Sequence, residues 1–250
     1  MSFAFSIVLI CKDAAATIGP MLKSMGGLSD DIVVYDSGST DDTLAIIHQH
    51  NLPVHQGPWL GFGPTRQKAT ELARYDWVLM VDADEVLSDG LRKELMQLSM
   101  PSPQTAYRFQ LHHQIGSDAL RWGEWRKDYR VRLYHKNILR WNGKLVHETI
   151  EVPADVKVCT FQHGAAHFPA TSIEAFEQKM KQYAWLTAQQ YHREGKRSSW
   201  IKRRVSPVFD FFVGYILHLG FLDGWPGYRL ALIFKQYTAE KYKALNQMKS

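Results

Sequence analysis

An apolar run followed at once by three carboxylates constrains the fold of this chain most. The five apolar residues Trp77 to Val81 precede Asp82-Ala83-Asp84-Glu85. Such a run predicts a buried strand of a parallel sheet, and open α/β sheets bind ligands at the carboxyl ends of their strands. In an extended backbone Asp82 and Asp84 share a face, where they would repel each other unless a cation lay between them. The pattern indicates either Mg²⁺ or Mn²⁺ with the phosphates of a nucleotide, or a solvated turn.

Strands and helices alternate through the first eighty residues, which predicts an α/β fold with a mostly parallel sheet and right-handed crossovers. The predicted strands are Phe5–Ile10, Asp31–Tyr35, Leu52–His55 and Trp77–Val81. The predicted helices between them are Ala14–Met25, Thr43–His50 and Thr65–Tyr75. Further strands are predicted at Tyr107–His113 and Val131–His135, and a helix at Ile173–Glu194. Changes in composition suggest divisions near residues 100 and 195, with basic, apolar helices at 196–250.

The basic charge of the chain is concentrated at its C-terminal end. The net charge is +5, but the segment from Arg193 to Ser250 holds eleven Lys and Arg against four acids, so the preceding residues sum to −2. Basic residues beside Trp, Phe and Tyr suit a segment that lies on an anionic membrane surface, or a pair of ordinary packed helices. The apolar run Val205 to Leu222 contains Asp210, which argues against a transmembrane helix. Two cysteines and no signal-peptide pattern suggest the cytoplasm.

Three motifs in order resemble the family-2 glycosyltransferases. They are Ile7-Val8-Leu9-Ile10-Cys11-Lys12-Asp13, Val34-Tyr35-Asp36-Ser37-Gly38-Ser39-Thr40-Asp41 and Met80-Val81-Asp82-Ala83-Asp84-Glu85. The chain is most similar to the bacterial lipopolysaccharide-core β-1,4-glucosyltransferase group, whose later landmarks match Arg130–Tyr134, Val146–Glu148 and Gly220–Gly224. The resemblance implies a GT-A fold and metal-dependent, inverting transfer of a hexose from a nucleotide sugar, UDP-glucose in that group. It also implies that residues 1–100 form the nucleotide-sugar-binding half of the GT-A domain and residues 101–195 the acceptor-binding half.

The resemblance also implies roles for five residues of the donor site. Asp13 and Asp36 would contact the nucleoside, Asp82 would lie near the donor ribose or sugar, and Asp84 would bind Mg²⁺ or Mn²⁺. Lys68, in the helix after the Gly-rich loop, would position the donor, although an ordinary surface lysine fits the pattern equally well.

Inverting transfer requires a general base that takes the proton of the acceptor hydroxyl. The family places an acid in its second half, and Glu148 is the candidate in this chain. Asp128, Glu124 and Asp118 are the alternatives.

Several other side chains could serve either the site or the core. Arg130 and Arg132 share a strand face and could bind donor phosphates or an anionic acceptor. His163 and His167 could be core residues, and a third metal ligand is a lesser alternative. Three tryptophans could stack on sugar rings or pack in the core: Trp122, Trp125 and Trp141.

The sequence therefore predicts a transferase that works on lipopolysaccharide core at the cytoplasmic face of the inner membrane, without a nucleic-acid partner. The alternatives are a nucleotidyltransferase, a nucleic-acid-binding protein suggested by the basic tail, and a membrane-bound scaffold without turnover.

Overall fold

A computed structural model describes residues 3–143 and 149–248 of the chain. Its strands, numbered along the chain, are β1 (Ser6–Cys11), β2 (Ile32–Asp36), β3 (Val54–Gln56), β4 (Trp77–Met80), β5 (Glu85–Leu87), β6 (Thr105–Ile115), β7 (Asp118–Leu120), β8 (Tyr129–His135), β9 (Arg140–Trp141), β10 (Ile150–Glu151), β11 (Lys157–Thr160) and β12 (Ala165–Ala170). Every strand predicted from the sequence is present, within one or two residues at each end.

The α-helices are α1 (Ile18–Met25), α2 (Thr43–Gln49), α3 (Phe62–Glu71), α4 (Asp89–Gln97), α5 (Ile173–Arg193), α6 (Trp200–Arg204), α7 (Ser206–Phe212) and α8 (Gly224–Gln247). A π-helical turn at Val213–Leu217 and two 3₁₀ segments, at Gly123–Trp125 and Gly220–Asp223, complete the helical elements of the described residues.

Two helices begin at other residues than predicted. Helix α1 begins at Ile18 rather than Ala14, and the amides of Ala14 and Ala15 before it bond to the side chains of Thr43 and Asp41. Helix α3 begins three residues early, at Phe62, and includes Pro64 in its first turn, where the missing N–H of proline breaks no helical hydrogen bond.

The chain divides into two compact units, and the first comprises residues 1–111 and 129–167. Strand β1 pairs in parallel with β2 and β4, and β2 pairs in parallel with β3, as the alternating sequence predicts. Strand β8 then joins β4 in antiparallel register, with Leu79 opposite Leu133. All six residues of β1 are buried, so both faces of this sheet are covered. The result is an α/β fold in which the carboxyl ends of β1, β2 and β4 lie along one edge.

Helix α1 covers part of this sheet through a spaced apolar stripe. Ile18, Met21, Leu22 and Met25 follow the three- and four-residue spacing of one helix face, and all four are buried in the core cluster that also contains Leu9 of β1.

The second unit comprises residues 112–128 and 168–250 and is built mainly on α5 and α8. The hydroxyl of Ser172 accepts a hydrogen bond from the Ala175 amide and so caps α5. A cluster of Ile115, Phe176, Leu230 and Ile233 forms a core between elements of this unit. The predicted functional division at residues 100 and 195 stays a prediction.

Over residues 3–143 and 149–248, no single helix is both long and apolar enough to cross a bilayer. One pair of helical segments, Ser206–Leu217 and Gly220–Gln247, passes that test jointly, and the two are bent by 70°.

Gly227 in the first turns of α8 allows a close backbone approach within the second unit. A Cβ atom there would lie 2.0 Å from the carbonyl oxygen of Gly220 and 2.9 Å from the Cβ of Asp223. We expect Gly227→Ala to lower the free energy of unfolding by about 3 kcal/mol, since overpacking against backbone cannot be relieved by a rotamer change. Chemical denaturation followed by circular dichroism measures the change.

Gly143→Ala is the control for this substitution, because a Cβ at Gly143 meets no atom of the described residues within 4 Å. Glycine to alanine inside a helix normally stabilises by roughly 1 kcal/mol. Unchanged or increased stability of Gly227→Ala would therefore show that the approach of α8 to Gly220 is looser than described.

Candidate functional site

Two loops at the carboxyl ends of β1 and β2 are locked together by hydrogen bonds. The Asp13 amide donates to the Ser39 hydroxyl over 2.9 Å, and the Thr40 amide donates to Oδ1 of Asp13 over 2.7 Å. Asp13 has a φ of +48°, in the left-handed region that Asp tolerates better than most residues. Asp13 is exposed, so its carboxylate both holds this loop pair and borders the surface beside it.

The Asp36 carboxylate is completely buried and bonds within its own loop. It accepts hydrogen bonds from the Gly38 amide at 2.9 Å, the Ser39 amide at 3.0 Å and the Cys11 thiol at 3.7 Å. Burial, together with the charge of Asp36, raises the pKa of the Cys11 thiol well above its usual range. Asp36 thus builds the loop, and a direct contact with the nucleoside stays a prediction.

Asp82 is held between two arginines. Its Oδ1 accepts from Nη2 of Arg66 at 2.5 Å, and its Oδ2 accepts from Nη2 of Arg132 at 2.8 Å. Arg132 also pairs with Glu85, which is fully buried at the start of β5 and accepts from the Asp82 amide at 3.2 Å. The structure therefore commits both oxygens of Asp82, and the Arg132 guanidinium, to a four-residue ion network: Arg66, Asp82, Glu85 and Arg132.

The charges of this network set the protonation of its carboxylates. Burial alone would raise the pKa of Asp82, but Arg132 and Arg66 outweigh it and hold that pKa well below its usual range. Burial raises the pKa of Glu85, and the charge of Asp82 adds to this effect while Arg132 opposes it. Arg132 remains a cation, since the two carboxylates overcome the effect of its burial and raise its pKa.

Aromatic side chains hold the Arg66 guanidinium in place. Its carbon lies 5.0 Å from the Trp141 ring centroid and 5.7 Å from that of Phe62. The Trp141 indole N–H donates to the Tyr134 hydroxyl at 2.8 Å, which lies 3.1 Å from the Thr70 hydroxyl. Trp141 is thus a buried positioning residue of the network rather than an exposed platform for a sugar.

Asp84 faces a histidine instead of an arginine. Its Oδ2 lies 3.3 Å from Nε2 of His167, which β12 brings opposite Glu85 of β5 in antiparallel register. Burial by itself would lower the pKa of His167, but the Asp84 carboxylate more than offsets this, so the pKa of His167 is raised. Both side chains are partly exposed, at 23% and 18%.

The donor set at Asp84 suits a divalent cation that also binds substrate. No group of three or more His, Cys, Asp or Glu side chains converges anywhere in the part of the chain that the structure describes. Mg²⁺ commonly takes only one or two protein ligands and fills its other positions with water and phosphate oxygens. The partly exposed Asp84 carboxylate fits that mode of binding, whereas the His167 imidazole beside it is a ligand more usual for Zn²⁺, Fe or Ni than for Mg²⁺ or Mn²⁺.

The structure separates Lys68 from the ion network. Lys68 and Arg66 lie two residues apart in α3, so their side chains point to different faces of the helix. Arg66 is buried against Asp82, whereas the Lys68 side chain is 54% exposed and lies 3.9 Å from Glu71. Arg66 rather than Lys68 therefore contacts the carboxylate of Asp82. The contact between Lys68 and the donor stays a prediction.

Glu148 lies outside the described residues, so its role as general base stays a prediction. The three alternative acids all belong to the second unit. Asp128 pairs with His113 at 3.0 Å, and Trp125 stacks on that histidine at 4.3 Å between ring centroids. Burial raises the pKa of Glu124, which lies 3.9 Å from His218.

Comparison with known proteins identifies the family. The model of glycosyl transferase family 2 matches residues 6–153, more than half of the chain. The chain therefore belongs to glycosyl transferase family 2 and is a glycosyltransferase. Its α/β architecture, with the acidic motif after β4, is the GT-A type expected for that family.

Two relatives in sequence cover most of the chain. An uncharacterized glycosyltransferase of Rickettsia felis is 28% identical over 92% of this chain and 84% of its own length. The lipopolysaccharide core biosynthesis glycosyltransferase LpsC of Rhizobium meliloti is 29% identical over 88% of this chain and 81% of its own.

Two solved structures are similar only distantly. TarS of S. aureus aligns over 99% of this chain and 92% of its own, with 15% identity and a TM-score of 0.45. Glucosyl-3-phosphoglycerate synthase of Mycobacterium tuberculosis, in complex with Mn²⁺ and UDP-glucose, aligns over 44% of each chain with 22% identity and a TM-score of 0.35. Because both TM-scores are low, no conclusion rests on these similarities.

Asp82→Asn tests the ion network through the pH dependence of stability. The folded-state pKa of Asp82 is depressed, so its ionised form stabilises the fold fully above the unfolded-state pKa of about 4, and this contribution declines as the pH falls below that value. We expect the variant to be less stable than the wild type by about 3 kcal/mol at pH 7, with a gap that narrows below pH ~4. Urea unfolding at a series of pH values measures it. A gap independent of pH would show that the Asp82 charge is not paired in the folded protein.

Proposed function

We propose that the chain transfers a hexose, with glucose from UDP-glucose as the expected donor, onto the inner core of lipopolysaccharide with inversion at the anomeric carbon. Membership in glycosyl transferase family 2 carries the reaction type. The similarity to LpsC over 88% of the chain supports the acceptor class. Glucose and uridine follow from the resemblance of the three sequence motifs.

The interlocked loops after β1 and β2 support a nucleoside site. The exposed Asp13 carboxylate, which accepts a hydrogen bond from the Thr40 amide, lies at the edge of these loops. The Ser37 hydroxyl is buried and has no hydrogen-bond partner in the described part of the chain. An unsatisfied buried hydroxyl costs roughly 1–3 kcal/mol, which a bound ligand could recover. The rigidity of the loops would present these groups to a base or ribose without a further ordering cost.

The two aspartates after β4 have different partners, and we assign them different roles. Asp84, with His167 beside it, would hold Mg²⁺ or Mn²⁺, which would neutralise charge on the nucleoside diphosphate leaving group. Asp82 would keep Arg66 and Arg132 at the donor edge of the sheet and fix the backbone that carries Asp84. In this arrangement Asp84 binds the cation, and Asp82 positions the turn after β4 that carries it.

Inversion needs a single displacement, so no side chain has to act as a nucleophile. The required group is a base within reach of the acceptor hydroxyl. We assign this role to Glu148 by its position in the motif Val146-His147-Glu148.

Calorimetric titration tests the donor and metal sites together. We expect UDP and UDP-glucose to bind in the presence of Mn²⁺ and to bind at least tenfold more weakly in EDTA, with ADP and GDP weaker than both. Asp84→Asn and His167→Ala should each reduce the affinity for UDP with Mn²⁺ by roughly 10- to 100-fold, and should behave as the wild type does in EDTA.

His163→Ala is the matched control for this titration. His163 lies four residues from His167 but pairs with Glu94 at 2.5 Å, so its replacement should leave UDP affinity unchanged. UDP affinity that is equal with Mn²⁺ and with EDTA would contradict the metal site, and preference for ADP would contradict a uridine donor.

Glu148→Gln tests the general base. We expect kcat to fall by roughly 10²- to 10⁴-fold, because proton transfer in the transition state is lost, while the affinity for UDP is kept. Single-turnover kinetics with UDP-glucose and lipopolysaccharide core measure the chemical step. Asp118→Asn, Glu124→Gln and Asp128→Asn serve as comparisons, and a larger loss of kcat in one of these three would transfer the role to that residue.

A further inference from the structure

The segment 200–225 of the second unit exposes an unusually apolar surface. Within residues 205–225, every residue that is exposed is apolar or glycine. The exposed large side chains of the segment are Trp200, Ile201, Val205, Val208, Phe209, Phe212, Ile216, Leu217, Phe221, Leu222 and Trp225, each between 42% and 68% exposed. We call this set the apolar face. Contiguous apolar surface of this extent marks a binding site for a membrane or another protein.

The acidic residues of the same segment point away from the apolar face. Oδ2 of Asp210 accepts a hydrogen bond from the Thr238 hydroxyl over 2.6 Å. The Asp223 carboxylate accepts from the backbone amides of Arg121 and Trp122, over 3.0 and 2.8 Å. Both acids are thus used inside the unit, and neither interrupts the outer surface.

The apolar face follows helical spacing through α6, α7 and the π-helical turn. Ile201, Val205, Phe209, Phe212 and Ile216 recur at intervals of three and four residues, so they share one side of the helical run. The other side packs inward through Phe211, whose ring meets Tyr228 of α8 edge-on at 6.1 Å between centroids, and through the buried Pro207 and Gly214. A helix that is apolar on both sides needs a second apolar environment.

A basic segment leads directly into this face. Residues 196–209 contain five Lys and Arg and no acidic residue: Lys196, Arg197, Lys202, Arg203 and Arg204. Lys196 pairs with Glu194 at 2.6 Å, which leaves the four cations of residues 197–204 as the basic group beside the apolar face. Lys202 and Arg204 are exposed next to Trp200 and Ile201. Cations beside exposed tryptophan at the edge of an apolar surface match the boundary of an anionic bilayer. There the cations interact with the anionic headgroups and the indole rings lie at the headgroup level.

We propose that residues 200–225 form an interfacial anchor, with the apolar face in the acyl–headgroup boundary and the four cations of residues 197–204 among anionic lipid headgroups. A second copy of the chain is a poorer occupant. The acids of residues 195–225, Asp210 and Asp223, are both bonded inside the unit, so a second copy of this segment would offer the cations no acidic partner across a symmetric interface. The anchor does not depend on the donor or the acceptor, and it would place the protein at an anionic membrane surface.

Vesicle flotation of the full chain tests the anchor. We expect binding to vesicles of phosphatidylcholine with phosphatidylglycerol, weaker binding to phosphatidylcholine alone, and loss of the difference at high salt. Arg197→Ala and Arg204→Ala should each lower partitioning to the anionic vesicles by roughly fivefold, with Lys93→Ala, an exposed cation of the first unit, as the control.

The double variant Phe209→Ser, Phe212→Ser tests insertion of the apolar face. We expect at least a tenfold loss of partitioning to anionic vesicles, because the variant lacks the two phenyl rings whose transfer from water into the bilayer favours binding. Met96→Ser with Met100→Ser is the matched control, since these side chains are 59% and 70% exposed in the first unit, and it should bind as the wild type does.

Tryptophan fluorescence distinguishes insertion from purely electrostatic adsorption. Brominated acyl chains should quench part of the emission of the bound protein, and Trp225→Tyr should reduce the quenched fraction. Equal partitioning of the wild type and the phenylalanine variant would overturn the proposal. A wild type that does not float but forms dimers in analytical ultracentrifugation would also overturn it and assign the apolar face to a second copy. UDP titration of the same variants keeps this result separate from the donor site.

Discussion

The buried network of two guanidinium groups and two carboxylates determines how the candidate site is built. It joins α3, the end of β4, the start of β5 and strand β8 through Arg66, Asp82, Glu85 and Arg132. Desolvating four charges is costly, and the cost is offset only when every charge has close partners of opposite sign. Removing one member leaves the others buried without compensation. The network therefore specifies one arrangement of the turn after β4 instead of merely adding stability.

That arrangement gives two neighbouring aspartates different chemistry. The alternation of an extended backbone suggests that Asp82 and Asp84 act together on one cation, but the two arginines already neutralise Asp82. Asp84 instead lies 3.3 Å from His167, because the antiparallel pairing of β12 with β5 places His167 opposite the adjacent Glu85. The role of each carboxylate thus depends on strands and helices that are distant from it in sequence, and an Asp-x-Asp pattern alone does not reveal the difference.

The sequence predicts the strands well because each strand is marked by a short run of neighbouring apolar residues. Runs such as Ile7 to Ile10 and Trp77 to Met80 are apolar and short, and the structure buries them as β1 and β4. The partners of the site are not local in this sense. Arg66 could have been found from the small residues Ala69 and Thr70, which are buried three and four residues after it in α3, so that Arg66 rather than Lys68 points inward. No comparable signal pairs His167 with Asp84, since that contact depends on sheet register.

In the C-terminal segment the direction in which side chains point matters more than the composition of the sequence. In the sequence Asp210 counts as a charge within an apolar run, and it weakens the case for a transmembrane helix. In the structure each carboxylate satisfies internal donors, Thr238 for Asp210 and two backbone amides for Asp223, while Phe209 and Phe212 on either side of Asp210 point outward. A helix can therefore present a continuous apolar surface although its sequence contains acids, provided that the acids occupy the inner face. What decides between a packed helix and a membrane-facing one is thus the direction of each charge rather than the number of charges.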